Sequence, residues 1–389
     1  YKKVQELLLE NKTQEAERLA SLGLFPNPKG EAIYTVAGQL NIQFPKGQTQ
    51  NYQRTLHLDD GYVSVEYDMD SNHISRRYFA SYPNDILGIE ILATEAIEIV
   101  CQLDREKQID SIKPEKNGLH LMTRFNKKDE CHIRLYVEAE DVQIIGASII
   151  ARGKTFHLWI SMATTLYRAL PTQYTKKILH AALHQGYEEV LHKAKSDYKG
   201  LFERQKFSCN DQDMEYMYNL SRYLMISSSR DNLPANLQGL WNQDIYPAWD
   251  SKYTININLE MNYWNVFSAN LVECFKPVLK LLERMYPNGK RIAKKLYHIS
   301  GFVAHHNTDI YGDCGLQDHY LPATIWPLGA AWLSQVIFDA YTYQENLSLL
   351  KRYGYILEDA ARFILNLGIE DQEGYFVLCP SLSPENSYM

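Results

Sequence analysis

Cysteine is sparse in this sequence and carries no pattern. Six occur in 389 residues: Cys101, Cys131, Cys209, Cys274, Cys314 and Cys379. They are scattered, without the paired spacing of a structural zinc site, and read mostly as free core thiols. They do not fix a redox compartment. Positive charge is also short: 40 Lys and Arg face 47 Asp and Glu, for a net charge of -7, which argues against a nucleic-acid partner. No run of 18 apolar residues occurs, so neither a transmembrane helix nor a membrane partner is expected. Nucleotide loops of the GxGxxG or P-loop type are missing, as are the GxSxG nucleophile elbow and HExxH. No cofactor and no metal is expected. The chain begins with Tyr1 rather than Met and stops at Met389 just after a promising motif, so a larger parent protein is expected.

What is present has a clear order. Residues 2–22 read as a helix pair, with Val4, Leu7 and Leu8 on one face and Ala16, Leu19 and Ala20 on another. Thr13 can cap the second helix, and Gly23 with Pro26 ends it. From about 31 to 163 the period becomes two. Leu40, Ile42 and Phe44 alternate with polar residues, as do Val63, Val65 and Tyr67, then Ile133, Leu135 and Val137, then Phe156, Leu158 and Ile160. Asp60-Gly61 and Asn117-Gly118 punctuate the runs. Short alternating strands without intervening helices predict antiparallel β structure, in the form of a sandwich. Residues 172–206 read as one or two linking helices. From 208 onward helices dominate, at 211–228, 259–286 with a break near Pro277, 289–299, 324–343 and 346–367. Long loops on a stack of helices suggest a helical barrel with its site at one end. The expected domains are therefore a β-sandwich over 1–168, a helical linker over 169–207 and a barrel over 208–389.

Three patches carry chemistry, all in the helical half. In 233–264 (LPANLQGLWNQDIYPAWDSKYTININLEMNYW) Trp241, Trp249 and Trp264 lie among uncharged amides. Flat apolar rings beside fixed hydrogen-bonding groups suit a sugar, which has an apolar face and a rim of hydroxyls. Asn256 and Asn258 are two apart and would share a face of an extended segment, where two amides can orient a water or hold a carboxylate. The second patch, 301–332, offers His305, His306, Thr308 and Asp309 as hydrogen-bonding groups, toward sugar hydroxyls or within the site wall. Trp326 is there a stacking platform or a core ring. The third, 380–386 (PSLSPEN), offers Glu385. A carboxyl beside apolar groups keeps its proton near neutral pH and can donate it to a departing glycosidic oxygen.

Taken together, these motifs resemble glycoside hydrolase family 95, the inverting α-L-fucosidases and their α-L-galactosidase relatives. LPANLQGLWNQDIYPAWDSKYTININLEMNYW, HHNTDIYG, WPLGAAWL and PSLSPEN stand in the family's order, and GQLNIQF, YQRTLHLDDGYVSVEY and DYKGLFERQ extend the similarity toward the N-terminus. The resemblance implies a β-sandwich, linker helices and an (α/α)6 catalytic barrel, of which this chain holds the first part. It implies Glu385 as general acid, and Asn256 and Asn258 as assistants of a general base, an Asp from a later barrel segment. Asp250 and Asp309 fall in motifs with positioning roles, which makes neither a replacement for that base. Inversion sets acid and base roughly 6.5–9.5 Å apart across the sugar, with a water between. The implied substrate is a glycan ending in α-L-fucose or α-L-galactose. Fucosidases of the family often carry His two residues before the first Asn; here Thr254 stands there, leaving room for the hydroxymethyl group of L-galactose. A non-catalytic sugar-binding protein, or another (α/α)6 enzyme such as an α-glucoside phosphorylase, are the competing readings.

Overall fold

The computed structural model describes residues 1–25, 30–125, 129–318, 320–371 and 373–386. Pro26, expected to end the second helix, lies outside these residues. The chain forms two compact units, one of residues 36–227 and one of 1–35 with 228–389. This partition differs from the boundaries expected above. The helix pair groups with the later helices, and the helices at 169–207 group with the strands.

The unit of 36–227 is built on one antiparallel sheet. Its strands are β1 (Gln39–Gln43), β2 (Thr49–His57), β3 (Tyr62–Met69), β4 (Asn72–Ser81), β5 (Ile86–Asp104), β6 (Ile109–Glu115), β7 (Gly118–Phe125), β8 (Asp129–Glu138), β9 (Asp141–Ile145) and β10 (Ser148–Thr164). The order is β2-β3-β4-β5-β10-β8-β7-β6, with β1 on β5 and β9 on β10. The alternation explains it. Ile133, Leu135 and Val137 face a core shared with Ile91, Ile99, Phe156 and Leu158. The opposite face of β10 carries Trp159, which packs with residues of α3 (Pro171–Gln185) and α4 (Tyr187–Phe202), namely Leu179, Ala182, Val190 and Leu191. The two long strands β5 and β10 pair along both their halves, with a bulge between Gly153 and Thr155. Pro171 starts α3, and Gly186 at φ +83° separates it from α4. Asp211 then caps α5 (Gln212–Ser228), accepting from the amides of Asp213 and Met214.

The second unit is mainly helical. It comprises α1 (Lys2–Leu9), α2 (Thr13–Gly23), β11 (Tyr253–Thr254), α6 (Asn258–Tyr263), α7 (Lys276–Ile292), β12 (Asn307–Thr308), α8 (Leu321–Thr324), α9 (Gly329–Gln344), α10 (Leu347–Leu367), β13 (Ile369–Glu370) and β14 (Phe376–Val377). The helix pair buries Val4, Leu7, Ala16 and Ala20 against Leu316 and Ile325. Pro277 does not break a long helix, as the sequence suggested. It opens α7, where its missing N–H and fixed φ do no harm. α7 then runs through Pro287. The stretch Leu321–Gln344 is apolar enough to resemble a membrane span, but 61% of its most apolar window is buried inside the unit, the pattern of a core helix.

Candidate active site

The backbone brings the first two patches together. β11 pairs with β12, Tyr253 opposite Thr308 and Thr254 opposite Asn307, and the amide of Ile255 donates to the carbonyl of His306 at 2.8 Å. The third patch joins the same unit. The amide of Leu382 donates to Ile325 O at 2.7 Å, and its side chain packs beside Leu316 and Ile325. Tyr1 Oη and Gln5 Nε2 hold the carbonyls of Pro380 and Cys379 at 2.8 and 2.9 Å. Gly329 permits this packing, because a Cβ there would stand 2.1 Å from the carbonyl oxygen of His305.

Individual residues divide into those turned inward and those left open. Asn256 is half-buried, and its Oδ1 is buried without a hydrogen-bond partner. Asn258 is exposed and opens α6. The segment is therefore not extended beyond Ile257, and the argument that both Asn share a strand face does not carry over. Thr254 is half-buried in β11. His305 bonds within the wall, one of the two roles expected for it. It is fully buried, its Nδ1–H donates to Cys314 O at 2.8 Å, and its Nε2 accepts from Tyr297 Oη at 2.6 Å. Burial lowers its pKa to about 4, so the ring stays neutral. Asp309 is likewise held inside: Oδ2 accepts from the amide of Ala32, and Oδ1 from those of Tyr311 and Asp313. Burial raises its pKa even against those donors. His306 is buried and donates through Nε2 to Asp318 Oδ2 at 3.1 Å.

Trp326 and Glu385 differ in how they are presented. Trp326 is buried, 5.9 Å from Trp332 in an edge-on arrangement, and is a core ring rather than an open platform. Glu385 is exposed, so the apolar enclosure expected for it is not supplied by the described residues. Of the three exposed rings of the first patch, Trp241, Trp249 and Trp264, Trp249 is the most open at 75%. It begins three successive left-handed residues, Trp249, Asp250 and Ser251, at φ +48°, +58° and +48°. Each such residue costs about 1 kcal/mol or more. Cross-loop bonds sustain them: Tyr34 N to Asp250 O at 2.9 Å, Gln238 Nε2 to Ala248 O at 3.2 Å, and Ser251 Oγ to Gln238 Oε1.

Sequence reasoning missed two buried carboxyls. Glu260, in the first turn of α6, is 1% exposed, and neither carboxyl oxygen has a hydrogen-bond partner. Burial pushes its pKa up to about 8. Its helical partner three residues on, Tyr263, faces inward too, bonded to Ser229 Oγ and the amide of Ala235. Glu31 has a side chain 1% exposed, and burial pushes its pKa up to about 8 against the pull of Lys252, 3.5 Å away. The only signal in the sequence was the position of Glu260 two residues past Asn258. Among the described residues no group of three or more His, Cys, Asp or Glu is placed to hold a metal ion.

The chain superposes on a protein described as a kojibiose phosphorylase from the human microbiome with a TM-score of 0.67, at 11% identity, over 91% of this chain and 52% of that one. Residues 193–389 match the glycosyl hydrolase family 95 catalytic domain, and residues 1–177 match the N-terminal domain of glycosyl hydrolase family 65. The chain belongs to glycosyl hydrolase family 95. It is 25% identical to alpha-L-fucosidase 2 of Arabidopsis thaliana over 92% of this chain and 51% of that protein. It is 27% identical to an Aspergillus niger protein assigned as alpha-fucosidase A, over 98% of this chain and 54% of that one. The chain thus spans about half the length of these relatives.

Proposed function

We propose that the protein is a glycoside hydrolase that removes terminal α-L-fucosyl residues from glycans with inversion, on a β-sandwich joined to an (α/α)6 barrel. The observation that carries this reading is the β11–β12 pairing. It sets Thr254 and the Asn256 segment beside His306 and Asn307, in the unit that also holds the PSLSPEN loop. Glu385 is the general acid. It faces solvent, where a glycosidic oxygen could reach it. Asn256 and Asn258 hold the base, a carboxylate outside this chain in the family pattern, so that it keeps its charge while directing a water at the anomeric carbon. Thr254 favours a second substrate, the α-L-galactoside, because a small hydroxylated side chain accommodates a hydroxymethyl group. An apolar pocket rejects an added hydroxyl only about a hundredfold, so both sugars are expected to react. Kinetics of the whole reading frame's product on p-nitrophenyl α-L-fucoside and α-L-galactoside test this. Hydrolysis of either supports the reading, and binding without hydrolysis supports a sugar-binding protein instead.

A further inference from the structure

Beside the β11–β12 ladder two segments of the helical unit, at Lys252 and at His306–Asn307, converge on one carboxylate oxygen. Asp318 Oδ2 accepts from His306 Nε2 at 3.1 Å and from Asn307 Nδ2 at 3.4 Å, and Lys252 Nζ lies 3.5 Å away. Lys252 Nζ is also 3.5 Å from Glu31 Oε2. The other oxygen, Asp318 Oδ1, receives no donor among the described residues, and the side chain is 44% exposed. The backbone at Asp318 is left-handed, at φ +65°, an uncommon conformation for a residue with a Cβ. Glu31, behind Lys252, has a buried Oε1 without a hydrogen-bond partner.

The charges sort themselves by environment. One cation faces two carboxyls, with Asp309 contributing from its own side of Glu31. Asp318 is held below the usual carboxylate range, first by the bond from His306 and further by Lys252. Glu31, shut away from water, is pushed up toward its protonated form. The hub is a Lys252–Asp318 ion pair, with Glu31 pushed by burial toward its neutral form behind it. A carboxylate fixed through one oxygen by three donors, with its second oxygen turned out, is built to accept hydrogen bonds from something else.

We propose that Asp318 is a ligand-binding carboxylate whose Oδ1 accepts from hydroxyl groups of the sugar bound against Thr254 and Asn256. Asn307, which holds Asp318, is the strand partner of Thr254, so the two readers flank the same ladder position. The negative charge suits hydroxyl donors and repels phosphorylated or carboxylated sugars. This inference rests on the sugar-hydrolase reading above.

The test uses the full protein and the two aryl α-L-glycosides. Asp318→Asn and Asp318→Ala are expected to raise KM about tenfold or more, the usual effect of losing a charged hydrogen bond, while kcat stays within about threefold. Wild-type affinity should also weaken as the pH falls through the acid range where Asp318 takes up its proton, and Asp318→Asn should lack that limb. Lys252→Met should move KM in the same direction by less. Thermal melts confirm folding of each variant. An unchanged KM in both Asp318 variants overturns the inference and leaves the hydrolase reading standing. A wild-type protein that neither binds nor cleaves an L-sugar overturns both.

Discussion

Compare two buried arginines of the sheet unit with two buried glutamates of the helical unit. In the sheet unit Arg105 is buried and bonded: Nε donates to Val36 O, and Nη1 lies within bonding distance of Lys107 O, Gln108 Oε1 and Thr123 Oγ1. Arg134, also buried, reaches Thr175 Oγ1 and Glu115. In the helical unit Glu260 and Glu31 are as deeply placed, yet three of their four carboxyl oxygens have no hydrogen-bond partner, and burial pushes both up to about 8. The first arrangement completes a fold. The second leaves polar groups uncompensated, which a protein tolerates where something other than stability sets the sequence.

Substitutions can sharpen or break that contrast. The largest effect is expected from Asn258→Ala in the whole reading frame's product. It should lower kcat about 10²–10³-fold, the usual consequence of losing one group that orients a reacting atom or its partner, with a nearly unchanged melt because the residue is exposed. Arg105→Ala should show the reverse: a loss of about 3 kcal/mol in urea unfolding, since acceptors lose a charged donor, with little change in KM.

Glu260→Gln separates the two units by pH. The folded pKa of Glu260 is raised to about 8 from an ordinary value of 4.5, so the folded state binds its proton more tightly than the unfolded state does. Its contribution to stability is complete below about 4.5, declines as pH rises, and is gone above about 8. Urea unfolding between pH 5 and 8 should therefore weaken in the wild type and flatten in Glu260→Gln, with Glu31→Gln acting in the same sense. An equal slope in both variants and the wild type would remove the contrast. The smallest stability effect is expected at Trp249→Ala, within about 0.5 kcal/mol because the ring is open, while glycan affinity falls several-fold.

The sheet was legible because apolar and polar residues alternate in several strands, and Val65, Tyr67, Ile133, Leu135 and Val137 are all buried. The three patches were legible because their composition is unusual. What stayed hidden depends on contacts between distant residues. Glu31 and Lys252 are far apart in sequence, and Asp318 meets His306 only through a turn. Glu260 looks in sequence like any Glu on a helix. Composition marked Trp326 and Trp249 alike, and only packing shows that the first is buried and the second open. The helix that begins at Asn258 ended the period-two argument for the Asn pair.

The most direct test follows product and leaving group together. The whole reading frame's product and Glu385→Gln are each given an aryl α-L-fucoside with a good leaving group and a fucosyl disaccharide with a poor one, and the first-formed sugar is read by proton NMR. β-L-Fucose should appear first, and Glu385→Gln should slow the disaccharide by orders of magnitude more than the aryl glycoside, which departs without a proton. α-L-Fucose as the first product, or equal slowing of both substrates, would contradict the assignment of Glu385 as the acid of an inverting enzyme.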